Sequence, residues 1–317
     1  MAKRKIVIVG SGNVGMSFAF ALMMDGVAEE IVIVSRSQDK AVGETMDLGH
    51  GAALLGSVAI RTGGYSECAN ADVIVITTGV KQQPNESRLS LAARNIELFT
   101  TVIRDILKYN SSPLLVIVTN PVDVLAYVAV KNLGLSPERV IGTGTVLDSA
   151  RLRHLIGRAY GVSPADVNAY VIGEHGDSQV ALWSLATIGG VPLSVFQAAE
   201  KSNLSMADLQ ELMGELARDA AHYVIGFKGS TYYGISIATL KILRAIFRDE
   251  NTILSVSTLV NGQYGLPEVA LSLPCIVNAR GRERILTPAL AEEEEAGLHR
   301  SAAAIGNVLA AHATVPG

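Results

Sequence analysis

A doubly wound, mostly parallel α/β sheet followed by a second, α+β domain is the fold this sequence predicts, on three observations. Six β-rich runs lie in the first half, at 6–9, 31–34, 58–61, 73–77, 115–118 and 140–142, most of them separated by helical patterns or connections long enough for a crossover. Strands alternating with helices imply a parallel sheet with right-handed crossovers. The first run ends in Gly10-Ser11-Gly12-Asn13-Val14-Gly15, ahead of an apolar stretch from Met16 to Met24. Beyond residue 143 the pattern changes to longer helices and a meander of strands.

Taken in order, the opening unit reads strand, glycine turn, helix, strand. Gly10, Gly12 and Gly15 have the G-x-G-x-x-G spacing, and such a turn aims backbone N–H groups at a phosphate from the positive end of a helix. A Rossmann-type dinucleotide site is therefore expected, with Gly10, Gly12, Asn13, Val14 and Gly15 at the phosphates. The end of the second strand reads the ribose, and there the chain has Ser35-Arg36-Ser37 in place of an acid. A helix begins near Ser90, where Ala92, Ile96, Phe99, Ile103 and Leu107 recur at three and four to form one buried stripe. Dinucleotide binding is assigned to residues 1–143 and the substrate domain to 144–317, with a helix near 235–248 expected to pack back on the first domain.

In the second half, helices are expected from Asp148 to Tyr160, from about Met206 to Val224, and over 235–247. Strands are expected at 170–172, 253–260, 269–277 and 283–286. Thr287-Pro288 is expected to start the last helix, with Glu292 to Glu295 as its solvated beginning.

Composition narrows the function classes. A 49% hydrophobic and 18% charged chain of 317 residues builds a substantial core. A net charge of −4 and only 5% aromatic residues give no electrostatic or stacking case for nucleic acid or an anionic membrane. Cys68 and Cys275 are far apart and in no metal or redox spacing, which suits a reducing compartment. Lys3-Arg4-Lys5 before apolar residues imitates a secretory signal, but Gly10, Gly12, Asn13 and Gly15 interrupt the run. A cytoplasmic protein without a metal site is expected.

Four segments could carry chemistry. The polar stretch Thr77 to Arg88 follows the fourth strand, at the sheet edge where such folds bind ligands, and on position alone it is equally a solvent loop. Asn120-Pro121-Val122-Asp123 follows the fifth strand and reads either as turn chemistry or as a ligand contact. Asp148 and Arg151 share a helix face, either as an intrahelical ion pair or as site residues. Of six histidines, His175 alone follows a strand within a glycine-bracketed turn, Gly173-Glu174-His175-Gly176-Asp177.

These motifs, with Leu147-Asp148-Ser149-Ala150-Arg151 and Lys228-Gly229-Ser230-Thr231, come in one order along nearly the whole chain. In that combination the chain resembles the L-lactate dehydrogenases of the lactate/malate dehydrogenase superfamily. The resemblance implies hydride transfer between a nicotinamide cofactor and pyruvate or L-lactate. His175 would be the general acid/base, Asp148 its partner, and Arg88 the loop cation that stabilises the oxyanion. Arg151 would grip the substrate carboxylate, with Asn120, Thr231 and Gln82 completing the pocket, and Thr78, Gly79 and Asn120 beside the cofactor.

A neutral Gln82 cannot pair a second carboxylate, which favours pyruvate over oxaloacetate. Malate-type or broader L-2-hydroxyacid specificity, and a nucleotide-binding protein without catalysis, are the alternatives. The resemblance also implies a homotetramer or dimer. Many bacterial relatives respond to fructose 1,6-bisphosphate through an arginine and a histidine; Arg153 matches the first, but Asn168 replaces the second, so strong activation is not expected. NAD-dependent relatives carry an aspartate at position 35. Ser35 removes its repulsion and Arg36 adds charge, so NADP(H), alone or beside NAD(H), is the expected cofactor.

Overall fold

The computed structural model describes residues 4–55, 58–80, 88–200 and 205–313. The first half contains β1 (Lys5–Val9), α1 (Asn13–Asp25), β2 (Glu30–Val34), α2 (Gln38–Ala52), β3 (Ala59–Gly63), β4 (Val73–Ile76), α3 (Arg88–Leu107), β5 (Leu115–Ile117), α4 (Val122–Tyr127) and β6 (Val140–Gly142). The second half contains α5 (Val146–Tyr160), short strands β7 (Val167–Asn168), β8 (Val171–Ile172), β9 (Val180–Ala181), β10 (Thr187–Ile188) and β11 (Val191–Pro192), then α6 (Leu193–Glu200), α7 (Met206–Lys228) and α8 (Tyr233–Phe247). Strands β12 (Thr252–Val260), β13 (Val269–Asn278) and β14 (Gly281–Ile285) and helix α9 (Glu292–Ala313) complete it.

The central sheet has nine strands in the order β14-β13-β12-β6-β5-β4-β1-β2-β3. Strands β1 to β6 pair in parallel, as the alternating pattern predicts. Alternation along each strand sends side chains to opposite faces, and both faces are buried. Val7, Val9, Val32, Val34, Ile74 and Ile76 face a core shared with α3, α4 and α9. Ile6, Ile8, Ile31, Ile33, Val73 and Val75 face the other, shared with α1 and α8. Helix α8 is fixed against α1 where Arg244 bonds Asp25 and the Ser236 hydroxyl reaches the Val14 carbonyl. A third core joins Leu152 and Ile156 of α5 to Leu209 and Met213 of α7 and to the small strands.

Two features differ from the sequence expectation. The 252–285 meander does not stand apart in the second half. It extends the main sheet through the antiparallel pairing Ser257↔Gly142, and Val256, Cys275 and Val277 join the same core as Ile8. The last helix starts at Glu292, five residues after Thr287. Tyr264 donates its hydroxyl to the Pro288 carbonyl at 2.7 Å, holding that segment outside the helix. Glu294 is no solvated residue. It is 7% exposed and accepts from the Ala291 N–H and from both the N–H and hydroxyl of Ser184.

Candidate active site

The parallel strands open at their carboxyl ends onto a cavity of about 640 Å³, lined among others by Gly10, Gly12, Ser35, Arg36, Thr78 and Gly79. Gly10 has φ +124°, and a Cβ there would meet Thr77 Oγ1 at 2.6 Å. At Gly15 a Cβ would collide with the Gly10 carbonyl, so both glycines are set by close backbone packing. Gly12 differs, because a Cβ there would meet nothing within 4 Å. It borders open space at the N-terminus of α1, where no side chain caps the first turn. The N–H groups of Asn13, Val14 and Gly15 thus begin the helix without intrahelical acceptors, a cradle suited to a pyrophosphate. Across the cavity floor, Thr119 donates to the Thr78 carbonyl at 2.7 Å, and Val80 N–H donates to Asn95 Oδ1 at 2.9 Å. Asn120 is exposed at the mouth of the next turn, after β5 and before Pro121.

His175 is held by three elements. Its turn leaves β8 at Gly173, whose N–H and C=O exchange 2.9 Å bonds with Ser272 of β13. Its backbone N–H donates to Asp123 Oδ2 of α4 at 2.8 Å. Its ring Nδ1 lies 2.7 Å from Asp148 Oδ2 of α5. The other oxygen of Asp148 accepts from Arg151 at 2.7 Å. Asp148 is therefore both the intrahelical partner of Arg151 and the partner of the imidazole. The intrahelical ion pair is thus present, and the same carboxylate also meets His175.

The electrostatics follow from this geometry. Burial raises the Asp148 carboxyl, but His175 and Arg151 outweigh it and hold the group below the usual carboxylate range. Burial likewise disfavours a charged His175, yet Asp148, and behind it Asp123, raise its pKa above the ordinary imidazole value. Asp123 itself is 4% exposed, and burial pushes it up to about 6 against the lowering by Ser257 and the His175 N–H.

Sequence reasoning placed Asp123 in a motif without giving it a task. Its signal was an acid inside the apolar run Val122-Asp123-Val124-Leu125-Ala126, which buries it. Lys40 was also missed. It lines the cofactor cavity from the first turn of α2, one helical turn beyond Arg36.

Other expected residues fall as follows. Thr231 is half-buried in the connection from α7 to α8. The start of α8 packs on α5, since a Cβ at Gly234 would meet the Leu147 side chain at 3.1 Å, next to Asp148. Gln82 lies outside the described residues, and Arg88 is described only as the first residue of α3. Arg153 is half-buried on α5, and Asn168 is exposed on β7. Among the described residues no group of three His, Cys, Asp or Glu could hold a metal ion, and no helix is long and apolar enough to cross a membrane.

A cavity at the strand ends suited to a dinucleotide, together with a buried carboxylate–imidazole pair that carries an arginine on the same carboxylate, defines an oxidoreductase of the nicotinamide-dependent class. The family description "lactate/malate dehydrogenase, NAD binding domain" matches residues 4–142, and "lactate/malate dehydrogenase, alpha/beta C-terminal domain" matches residues 145–314. The chain belongs to the lactate/malate dehydrogenase family. It is 44% identical over 306 residues to an L-lactate dehydrogenase of Clostridium botulinum (strain Loch Maree / Type A3), covering 96% of each chain. It is 43% identical over 307 residues to that of Nitratidesulfovibrio vulgaris (strain DP4), covering 97% of this chain and 99% of the relative. Among solved structures, a lactate dehydrogenase from a Medee basin deep-sea metagenome library superposes with a TM-score of 0.94 at 41% identity, covering 99% of this chain and 100% of that one. The minor L-lactate dehydrogenase of Enterococcus mundtii, in a ligand-bound form, gives 0.93 at 37% identity, covering 98% and 99%.

Proposed function

We propose that this chain is an L-lactate dehydrogenase that interconverts pyruvate and L-lactate. The observation that carries the reading is the His175–Asp148–Arg151 arrangement, in which one carboxylate holds both an imidazole and a guanidinium. The bound nicotinamide supplies or accepts the hydride at the substrate carbon. Everything else falls to the chain's own residues. With Asp148 ionised, Nδ1–H of His175 is held as a donor to it, leaving Nε2–H to protonate the substrate oxygen. Asp148 keeps the imidazolium stable enough to be populated near neutral pH, and the same pair takes the proton back in lactate oxidation. Arg151 spends one amino nitrogen on Asp148, and the rest of its planar fork suits a substrate carboxylate. Arg88 would add a cation at the oxyanion, and Asn120 a hydrogen bond to the same oxygen.

Gln82 supports a monocarboxylate, because a second buried carboxylate would lack a partner there. Somewhat larger 2-keto acids remain acceptable, since one or two methylenes discriminate weakly. We further propose a cytoplasmic homotetramer or dimer. Phe20 and Met24 of α1 and Ile237 of α8 are 54, 58 and 58% exposed on helices that pack together, more apolar surface than a lone chain suits. The reading is tested by incubating the enzyme with NADH and pyruvate and resolving the product by chiral chromatography. L-lactate in step with NADH consumed is expected from the wild type, and its persistence at the wild-type rate in His175→Ala would refute the assigned chemistry.

A further inference from the structure

The adenosine end of the cofactor cavity differs in charge from a site built to read an unphosphorylated ribose. A ribose-reading site ends its second strand in an acid, which accepts from the 2′-hydroxyl and repels a 2′-phosphate. Here the residue after β2 is Ser35, and its hydroxyl is already placed. Ser35 Oγ lies 2.7 Å from Ser11 Oγ in the glycine turn and accepts from the Ser37 N–H at 3.2 Å, while the Ser35 carbonyl accepts from Gln38 Nε2 at 2.9 Å. With Ser11 donating, the Ser35 proton faces away from its protein partners and is free for a ligand. Ser37 precedes α2 without capping it through its side chain, and among the described residues its hydroxyl has no hydrogen-bond partner.

Of the three cations that line the cavity, Arg94 comes from α3 with its acids, and two come from the segment that follows β2. Arg36 and Lys40 both line the cavity and both are exposed. Arg36 makes no hydrogen bond or ion pair with another described residue. Among the described residues Lys40 has only a 3.9 Å contact with Glu44, between side chains 51 and 37% exposed, too loose and solvated to neutralise it. Asp39, the acid of the same turn, does not line the cavity; the acids that do, Glu97 and Asp105, come from α3. A dianionic phosphate monoester needs the reverse of what a ribose diol needs: cations and hydroxyl donors with no carboxylate between them. Ser35, Arg36, Ser37 and Lys40 supply the cations and hydroxyls from the β2–α2 side, and the carboxylates that line the cavity come from α3.

We infer that Ser35, Arg36, Ser37 and Lys40 form a recess for the 2′-phosphate of an adenine dinucleotide, so that the enzyme takes NADP(H) as well as NAD(H). The inference rests on the cofactor cavity of the proposed function but not on the choice of keto acid. Arg36 would grip the phosphate with its fork, Lys40 would add a point charge, and the two serines would donate hydroxyl hydrogens.

Calorimetry with 2′,5′-ADP and 5′-AMP as probes reads the recess without any turnover, and fluorescence titration with NADPH and NADH reads it in the whole cofactor. The wild type should bind 2′,5′-ADP at least about tenfold more tightly than 5′-AMP, and the preference should shrink with rising salt. Arg36→Ala and Lys40→Ala should each lower the NADPH-to-NADH affinity ratio by roughly fivefold or more, and Ser35→Asp should invert it in favour of NADH. Equal affinity for the two probes, or variants that change NADPH and NADH binding alike, would overturn the recess. NADPH binding without pyruvate reduction would instead sink the proposed reaction and leave the recess standing.

Discussion

Asp148 divides its two carboxylate oxygens between His175 Nδ1 and Arg151, each at 2.7 Å. One buried charge therefore meets both groups, and in the proposed reaction it sets the protonation of the imidazole and the position of the guanidinium.

Asp148→Asn keeps an acceptor oxygen but removes the charge that raises the His175 pKa. Pyruvate reduction needs the protonated imidazole, so its rate falls as pH rises through that pKa. The variant's fall should begin at lower pH, with the loss approaching roughly tenfold per unit of displacement only at pH values above both pKa values. A pH profile of kcat/KM for pyruvate decides it; a slower enzyme with an unmoved profile would mean that Asp148 only shapes the turn.

Arg151→Lys replaces a planar fork by a point charge. KM for pyruvate should rise about tenfold or more, equivalent to roughly 1.4 kcal/mol of binding, with cofactor affinity unchanged. Steady-state kinetics and an NADH titration together separate this from a general loss of structure.

Asp123 is expected to cost stability at high pH. Its folded pKa of about 6 lies above the ordinary carboxylate value, so the folded chain holds that proton more tightly than the unfolded one. The resulting stabilisation is complete at pH values below the unfolded pKa and is lost as pH rises through about 6. Asp123→Asn still offers an oxygen to the His175 N–H but never ionises. Its melting temperature relative to wild type should therefore improve from pH 4 to pH 8. A difference independent of pH would contradict the assignment.

The two glycines of the cofactor turn should separate binding from folding. Gly12→Val projects into open space in the cavity, so Tm should hold while NADH binding weakens by about tenfold or more. Gly15→Ala meets the Gly10 carbonyl, which is backbone and cannot swing away, so Tm itself should fall. Thermal melts with and without NADH distinguish the two.

How much of this was legible in the sequence depends on whether local pattern or distant partners decided the outcome. The period-2 runs and the glycine turn specify their own conformation, and β1 to β6 with α1 and α3 follow from them. His175 stood out because a strand and two flanking glycines mark its turn. The pairing of β12 with β6 was hidden, because an antiparallel meander carries no mark of which edge it will join. Glu294 was misread for a related reason: its partner Ser184 is 110 residues away, and a run of four glutamates looks solvated until one of them is needed. Asp123 and Lys40 owe their roles to neighbours brought in by the fold, His175 and the cofactor cavity.

The central claim is the choice of keto acid, and the most direct measurement compares kcat/KM for pyruvate and oxaloacetate with the same reduced cofactor at one pH. On the role proposed for Gln82, pyruvate should be preferred by about a hundredfold or more, since burying an unpaired second carboxylate costs several kcal/mol. A preference for oxaloacetate would contradict the account.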